Sequence, residues 1–255
     1  MSKVVEYEKV ANKKIALVTG SNRGIGYELT KELSKRGIFV ILTVRNEERG
    51  TIAIKKIHKE NVLFHQLDVT NNQSIQQLKE YIEREFGKLD ILINNAGILL
   101  DEDMQQPASK ISIETLNKTL EVNFLGTFNV TRAFLPIMRK NKSGTIINIS
   151  ARNALPRTAF SGWFAYKASK ACVNALTVDL AEELKSDRIT VNAIHPGWIA
   201  TDMGLRARDL MKKDHTKGPE PQPIHEGITS VLWLLFEADP TITGKFIISN
   251  EIGNW

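Results

Sequence analysis

Short apolar runs rich in β-branched residues recur along this chain, and nearly all are followed by a stretch of helical periodicity. The runs at 15–18, 38–44, 62–67, 89–93, 145–149, 189–194 and 245–249 read as strands. Between them, 47–59, 74–86, 113–139, 164–184 and 224–236 read as helices, and another helix leads up to Arg36 and stops at Gly37. Strands that are apolar throughout, rather than on alternate positions, must be covered on both faces. Crossover-length helices between them supply that cover, which implies parallel pairing. The expectation is an α/β fold: a doubly wound parallel sheet with helices on both faces, formed by residues 1–255 as one domain. Residues 1–13 read as an N-terminal extension. The rhythm breaks at 201–223, where Pro219, Pro221 and Pro223 crowd together. A loop of that length in a compact domain is usually functional, and 205–213 within it reads as a short helix.

Composition narrows the function classes. A chain of 255 residues with 42% apolar and 25% charged residues can bury a large core. No apolar run approaches the roughly 20 residues needed to span a bilayer, and Met1 to Lys14 is polar with both charge signs, unlike a secretory signal. The lone cysteine, Cys172, has no internal partner, and no thiol cluster suggests a metal. These features point to a cytoplasmic protein that binds neither membrane nor metal. Net charge is +5, and residues 1–60 hold 13 Lys/Arg against 7 Asp/Glu. No basic run interleaved with aromatics accompanies that excess, so nucleic acid is not the expected partner. A phosphate-bearing small ligand bound by the N-terminal half accounts for it better.

The first strand runs into Thr19-Gly20-Ser21-Asn22-Arg23-Gly24-Ile25-Gly26 and then into a helix. Glycines at a strand-to-helix turn let backbone approach a pyrophosphate, and the helix N-terminus offers amide donors and a positive dipole. The second strand ends at Arg45. In dinucleotide folds an acidic residue here binds a ribose 2′-hydroxyl, whereas arginine accommodates a 2′-phosphate. Arg45, with Arg23 in reach of the same place and no carboxylate, points to NADP(H).

Tyr166 and Lys170 stand four apart on a helical stretch and so share a face. An ammonium beside a phenol favours the phenolate, which predicts a lowered tyrosine pKa and proton exchange with a reacting oxygen. Taken alone, the pair reads equally as an aromatic packed on the core with a lysine passing over it.

The ordered set Thr19–Gly26, Leu67-Asp68-Val69, Asn94-Asn95-Ala96-Gly97, Val122-Asn123-Phe124, Tyr166/Lys170 and Pro196-Gly197-Trp198-Ile199 resembles the short-chain dehydrogenase/reductase superfamily. The resemblance runs from Lys14 to the C-terminus. Residues 18–26, 42–50 and 64–68 are similar to carbonyl reductases. Residues 149–152 and 162–166 are similar to the C-factor (sniffer-like) subgroup. The resemblance implies a single Rossmann-fold domain that reduces an aldehyde or ketone with NADP(H). In that picture Tyr166 donates the proton, Lys170 binds the nicotinamide ribose, and Asn123 completes a proton relay. Gly20, Asn22, Arg23, Gly24, Ile25 and Gly26 hold the pyrophosphate side. Asp68 and Val69 meet the adenine, and Asn95, Ala96 and Gly97 line the adenosine half. Pro196, Gly197 and Ile199 cover the nicotinamide, and Thr201 bonds its carboxamide.

The chain departs from the family at one position. The serine that bonds the substrate carbonyl is usually the second residue after Asn-Ile, a place taken here by Ala151, with Ser150 one earlier. One residue of shift in a strand turns a side chain to the opposite face. Three arrangements remain open: a bulge that turns Ser150 inward, the favoured one; substitution by Ser161; or Tyr166 acting without a partner hydroxyl. The resemblance also implies a homodimer or homotetramer built through helices 113–139 and 164–184. Substrate choice falls to residues 97–110, 154–162 and 201–223. The alternatives are a low-turnover nucleotide sensor on the same fold and a biosynthetic alcohol dehydrogenase of the same superfamily.

Overall fold

Ile15 and Leu17 enter one apolar cluster and Ala16 and Val18 another, so the first strand has a core on each side. The computed structural model describes residues 12–154, 162–213 and 220–255. Its sheet comprises β1 (Ile15–Val18), β2 (Phe39–Val44), β3 (Val62–Gln66), β4 (Ile91–Asn94), β5 (Gly144–Ile149), β6 (Ile189–His195), β7 (Phe246–Ile248) and β8 (Glu251–Gly253). The strand order is β3-β2-β1-β4-β5-β6-β7-β8, parallel throughout except for the antiparallel pair β7–β8.

The helices are α1 (Gly24–Lys35), α2 (Glu47–Ile57), α3 (Asn72–Glu85), α4 (Asp101–Gln105), α5 (Ile113–Leu120), α6 (Gly126–Lys140), α7 (Phe164–Glu183), α8 (Asp202–Lys213) and α9 (Thr229–Phe236). One face of the sheet is covered by Ile75, Leu78 and Ile82 of α3, Val130 and Phe134 of α6, and Leu180 of α7. The other takes Leu29 and Leu33 of α1 with Val231 and Leu234 of α9. Each fully buried Leu or Ile contributes about 1.5–3 kcal/mol, so most of the stability lies in these two layers. Consecutive strands run outward from β1 to β3 and then restart at β4 on the other side of β1. That reversal opens a crevice at the carboxyl ends of β1 and β4, where ligands bind in folds of this topology.

The expected doubly wound sheet is what the chain forms, with local differences that have physical causes. The stretch expected as one helix over 113–139 is interrupted by a π-helical turn, Glu121–Leu125. Asn123 there is fully buried and spends its amide on Ile98 and Ser169, contacts that an uninterrupted helix would aim elsewhere. The strand β8 is only three residues long and carries no apolar run to mark it in the sequence. It follows a two-residue turn, Ser249 and Asn250, both at positive φ (50° and 63°), the backbone of a tight hairpin. The 97–110 loop contains α4, and the helix expected at 205–213 begins earlier, with Thr201 Oγ1 accepting from Gly204 N at 3.2 Å. Trp255 docks on the body: its indole N–H donates to Gly244 O at 3.2 Å beside the Phe246 ring. Residues 1–11 of the expected extension, and parts of 154–162 and 201–223, lie outside the described residues.

Candidate active site

The Gly-rich turn is shaped by what it must pass. Gly20 sits at φ +62°, and a Cβ there would lie 2.9 Å from Ala96 Cα. At Gly26 a Cβ would lie 2.5 Å from Asn95 Nδ2, the group that ties the turn down by donating to Thr19 O and Gly20 O. The N-terminus of α1 receives no side-chain cap. Its first-turn amides and the positive end of its dipole therefore remain for an anion, as a pyrophosphate requires.

From this turn a cleft of about 740 Å³ runs along the carboxyl edge of the sheet. At one end it is lined by Asn22, Arg23, Arg45, Asp68 and Val69. Asp68 Oδ1 accepts from Thr70 N at 3.0 Å and from Thr70 Oγ1 at 2.7 Å, which fixes its carboxylate at the end of β3. Arg49, in the first turn of α2, joins Arg45 and Arg23 on this wall. Arg23 also pairs with Asp202 at the start of α8. Both partners are largely exposed, and such pairs contribute little, so the guanidinium stays available to a stronger anion. Three arginines at this end suit a 2′-phosphate.

Tyr166 and Lys170 line the middle of the cleft with Gly97, Pro196, Gly197, Ile199 and Thr201. Lys170 is 3% exposed, donates from Nζ to Ile149 O at 2.7 Å, and lies 5.7 Å from the Tyr166 ring centroid. Here the expectation of an acidified phenol is corrected. Burial pushes Tyr166 up to about 12 and Lys170 down to about 8. Desolvation disfavours both charged forms, and the ammonium stands over the ring face with one hydrogen already spent on the backbone. Asn123 and Lys170 converge on Gly97: a Cβ there would be 3.4 Å from Asn123 Oδ1 and 3.7 Å from Lys170 Nζ. Among the described residues no group of His, Cys, Asp and Glu could hold a metal ion.

Residues 14–211 match the short chain dehydrogenase family. The chain belongs to it. It is 35% identical over 253 residues to carbonyl reductase (NADPH) 3 of Rattus norvegicus, covering 81% of this chain and 88% of that protein. It is 32% identical over 265 residues to (+)-neomenthol dehydrogenase of Arabidopsis thaliana, covering 80% and 89%. The solved structure of ElxO with NADP bound superposes with a TM-score of 0.81 at 29% identity, covering 92% of this chain and 96% of that one.

Sheet register places Ser150. The β5–β6 register runs unbroken from Gly144↔Ile189 to Ile149↔Ile194, and Ser150 N then donates to Ile194 O at 2.8 Å. No bulge interrupts this pairing, and Ser150 shares the cleft wall with Ala151. Ser150 is 1% exposed, and its hydroxyl donates to Asn174 Oδ1 on α7 at 2.5 Å. In this register, without the expected bulge, the Ser150 hydroxyl is directed to α7. Ala151 lines the cleft, and Ser161 lies outside the described residues.

An apolar wall of the cleft is formed by Leu99, Met203, Ala207 and the edge-packed pair Trp163 and Trp198 (ring centroids 5.5 Å apart). His195 Nδ1 accepts from Arg152 N at 3.2 Å, and burial, with the Arg152 charge nearby, pushes the imidazole down to about 4. It is neutral at physiological pH. Arg49, four residues beyond Arg45 on the facing helix turn, joins the expected site residues, as do Met203 and Ala207, which no local pattern marks.

Proposed function

We propose that this chain reduces an aldehyde or ketone to the alcohol with NADPH, using Tyr166 as the proton donor. The observation that carries the proposal is Tyr166 over Lys170 in the middle of a cleft that ends in three arginines. NADPH, when bound, supplies hydride to the carbonyl carbon and leaves as NADP+. Everything else falls to the chain. The turn from Gly20 through Asn22, Gly24, Ile25 and Gly26 receives the pyrophosphate on free amides, and Arg23, Arg45 and Arg49 take the 2′-phosphate. Asp68 and Val69 frame the adenine beside Asn95, Ala96 and Gly97. Pro196, Gly197 and Ile199 cover the nicotinamide, Thr201 bonds its carboxamide, and Lys170 holds its ribose.

As the carbonyl oxygen gains negative charge, the Tyr166 O–H donates to it. A phenol held near 12 is fully protonated at neutral pH, the form a donor needs. The Tyr166 oxygen then recovers a proton through Lys170, with Asn123 beside it as the route toward solvent. Ser150 spends its hydroxyl on Asn174, so Tyr166 and the Lys170 charge carry the stabilisation of the developing oxyanion. The apolar wall of Trp163, Trp198, Leu99 and Met203 favours a hydrophobic carbonyl compound.

The whole chain acts as one domain, with 201–223 as its substrate-side loop. It works as a homodimer or homotetramer: Ile113 and Leu125 before α6 and Phe164 and Val178 on α7 are large apolar side chains left exposed on neighbouring helices. No helix among the described residues is long and apolar enough to cross a membrane, and a cytoplasmic setting is the natural one for an NADPH-linked reductase. The test is NADPH oxidation against a panel of aldehydes and ketones, beside Tyr166→Phe. Turnover surviving that substitution would sink the mechanism. NADPH binding without turnover on any panel member would favour a nucleotide sensor.

A further inference from the structure

The helix that presents Tyr166 begins without a cap of its own. Trp163, the residue before α7, adopts the left-handed conformation at φ 56° and offers no side-chain acceptor to the first turn. Bulky residues take up that conformation only when the surroundings hold them there. The amides left over are those of Ala165 and Tyr166, the second and third positions of the helix, which an N-cap side chain ordinarily receives. Here they are received from 62 and 63 residues away. Asp103 Oδ1 accepts from Ala165 N at 2.9 Å and Asp103 Oδ2 from Tyr166 N at 2.8 Å, while Asp103 O accepts from Trp163 N at 3.0 Å.

Asp103 is fully buried on the short helix α4, and α4 is itself tethered at both sides. Glu102 accepts from Ser112 N at 2.8 Å and from the hydroxyls of Ser112 and Thr115, and Asp101 pairs with Arg206 of α8. The carboxylate therefore cannot follow α7 if its first turn frays; it anchors that turn to a separate part of the fold. Fraying is confined to the terminal turn of a helix. Tyr166 lies within that turn, whereas Lys170 lies a turn deeper and is held independently by Ile149 O.

We propose that Asp103 is a positioning residue for Tyr166, fixing the phenol against the reacting oxygen by clamping the backbone of the first turn of α7. The inference rests on Tyr166 being the proton donor. Two acceptor oxygens are needed, one for each amide. Asparagine supplies one and turns an N–H toward the other donor. Glutamate keeps both oxygens on a longer stem.

The test uses the full chain with Asp103→Asn, Asp103→Glu and Tyr166→Phe, and the panel carbonyl that the unaltered chain reduces fastest, starting from 4-nitrobenzaldehyde. Asp103→Asn is expected to keep its far-UV circular dichroism and to bind NADPH within about threefold, because the nucleotide half is untouched. Its kcat falls roughly 10- to 100-fold, as for an ångström-scale misplacement of a reacting group. KM changes little, and the solvent deuterium isotope effect on kcat rises because proton transfer is the step that has slowed. Asp103→Glu recovers part of the loss. A folded Asp103→Asn protein with kcat within about threefold of the unaltered chain overturns the proposal. So does a fall in kcat with no change in the isotope effect, and so does failure of both variants to fold, which would assign Asp103 to the fold alone. Turnover surviving Tyr166→Phe would remove the donor itself. A normal Asp103→Asn beside a dead Tyr166→Phe would remove only the positioning role.

Discussion

The hydroxyl of Ser150 donates to Oδ1 of Asn174, 2.5 Å away on α7, and not into the cleft. Ser150 therefore fastens strand β5 to the helix that carries Tyr166 and Lys170. Removing it with Ser150→Ala leaves the buried Asn174 oxygen without this donor, a loss of about 1–3 kcal/mol in stability. Catalysis should be less affected: kcat/KM falls less than about tenfold, since an oxyanion donor would be worth about 10²–10³. The converse change, Ala151→Ser, places a further hydroxyl on the cleft wall and should raise kcat/KM. Steady-state kinetics and thermal melts of the two variants check both statements. A hundredfold loss in Ser150→Ala would put that serine back in the reaction.

Arg45→Asp should reverse the nucleotide preference. The substitution removes a cation from the 2′-phosphate end and installs the carboxylate that suits a 2′-hydroxyl. Fluorescence titration should show weaker NADPH binding with NADH gaining relative to it. Arg23 and Arg49 remain on the same wall, so NADPH affinity falls without vanishing. An unchanged ratio of the two affinities would refute the assignment.

The pH profile should differ between directions. With its pKa near 12, Tyr166 stays protonated across the working range, so reduction loses no acid form between pH 6 and 10. Lys170 loses its charge above about 8, and the alkaline decline in reduction starts there. Alcohol oxidation needs the phenolate and should keep rising through pH 10. An oxidation rate that levels off near pH 7 would show that Lys170 acidifies the phenol despite its burial.

Lys170 should be costly to stability as well as necessary. Its pKa is about 8 in the fold against 10.5 for an ordinary lysine, so between these values the unfolded chain binds more protons. Stability therefore rises with pH through that window, and the full cost, on the order of 3 kcal/mol, is present below pH 8. Lys170→Met should raise Tm at pH 7, flatten the pH dependence of Tm between 8 and 10.5, and abolish turnover. A lower Tm at pH 7 would mean that the bond to Ile149 O outweighs the desolvation of the ammonium.

Much of this protein is written locally. Apolar runs and helical periods fix the parallel sheet because period and burial are properties of neighbouring residues. Gly20 to Gly26, Arg45 and Tyr166/Lys170 are legible for the same reason: each is a short pattern whose chemistry follows from spacing along one turn or one helix face. Three things were decided only by tertiary structure. The phenol's pKa rises because burial, set by distant elements, outweighs the lysine four residues on. The face of Ser150 depends on an unbroken register with β6. The clamp on the first turn of α7 comes from Asp103, more than sixty residues earlier, where nothing in the local sequence marks it. Desolvation, sheet register and long-range hydrogen bonds arise between segments, and a linear pattern carries no record of which segments will meet.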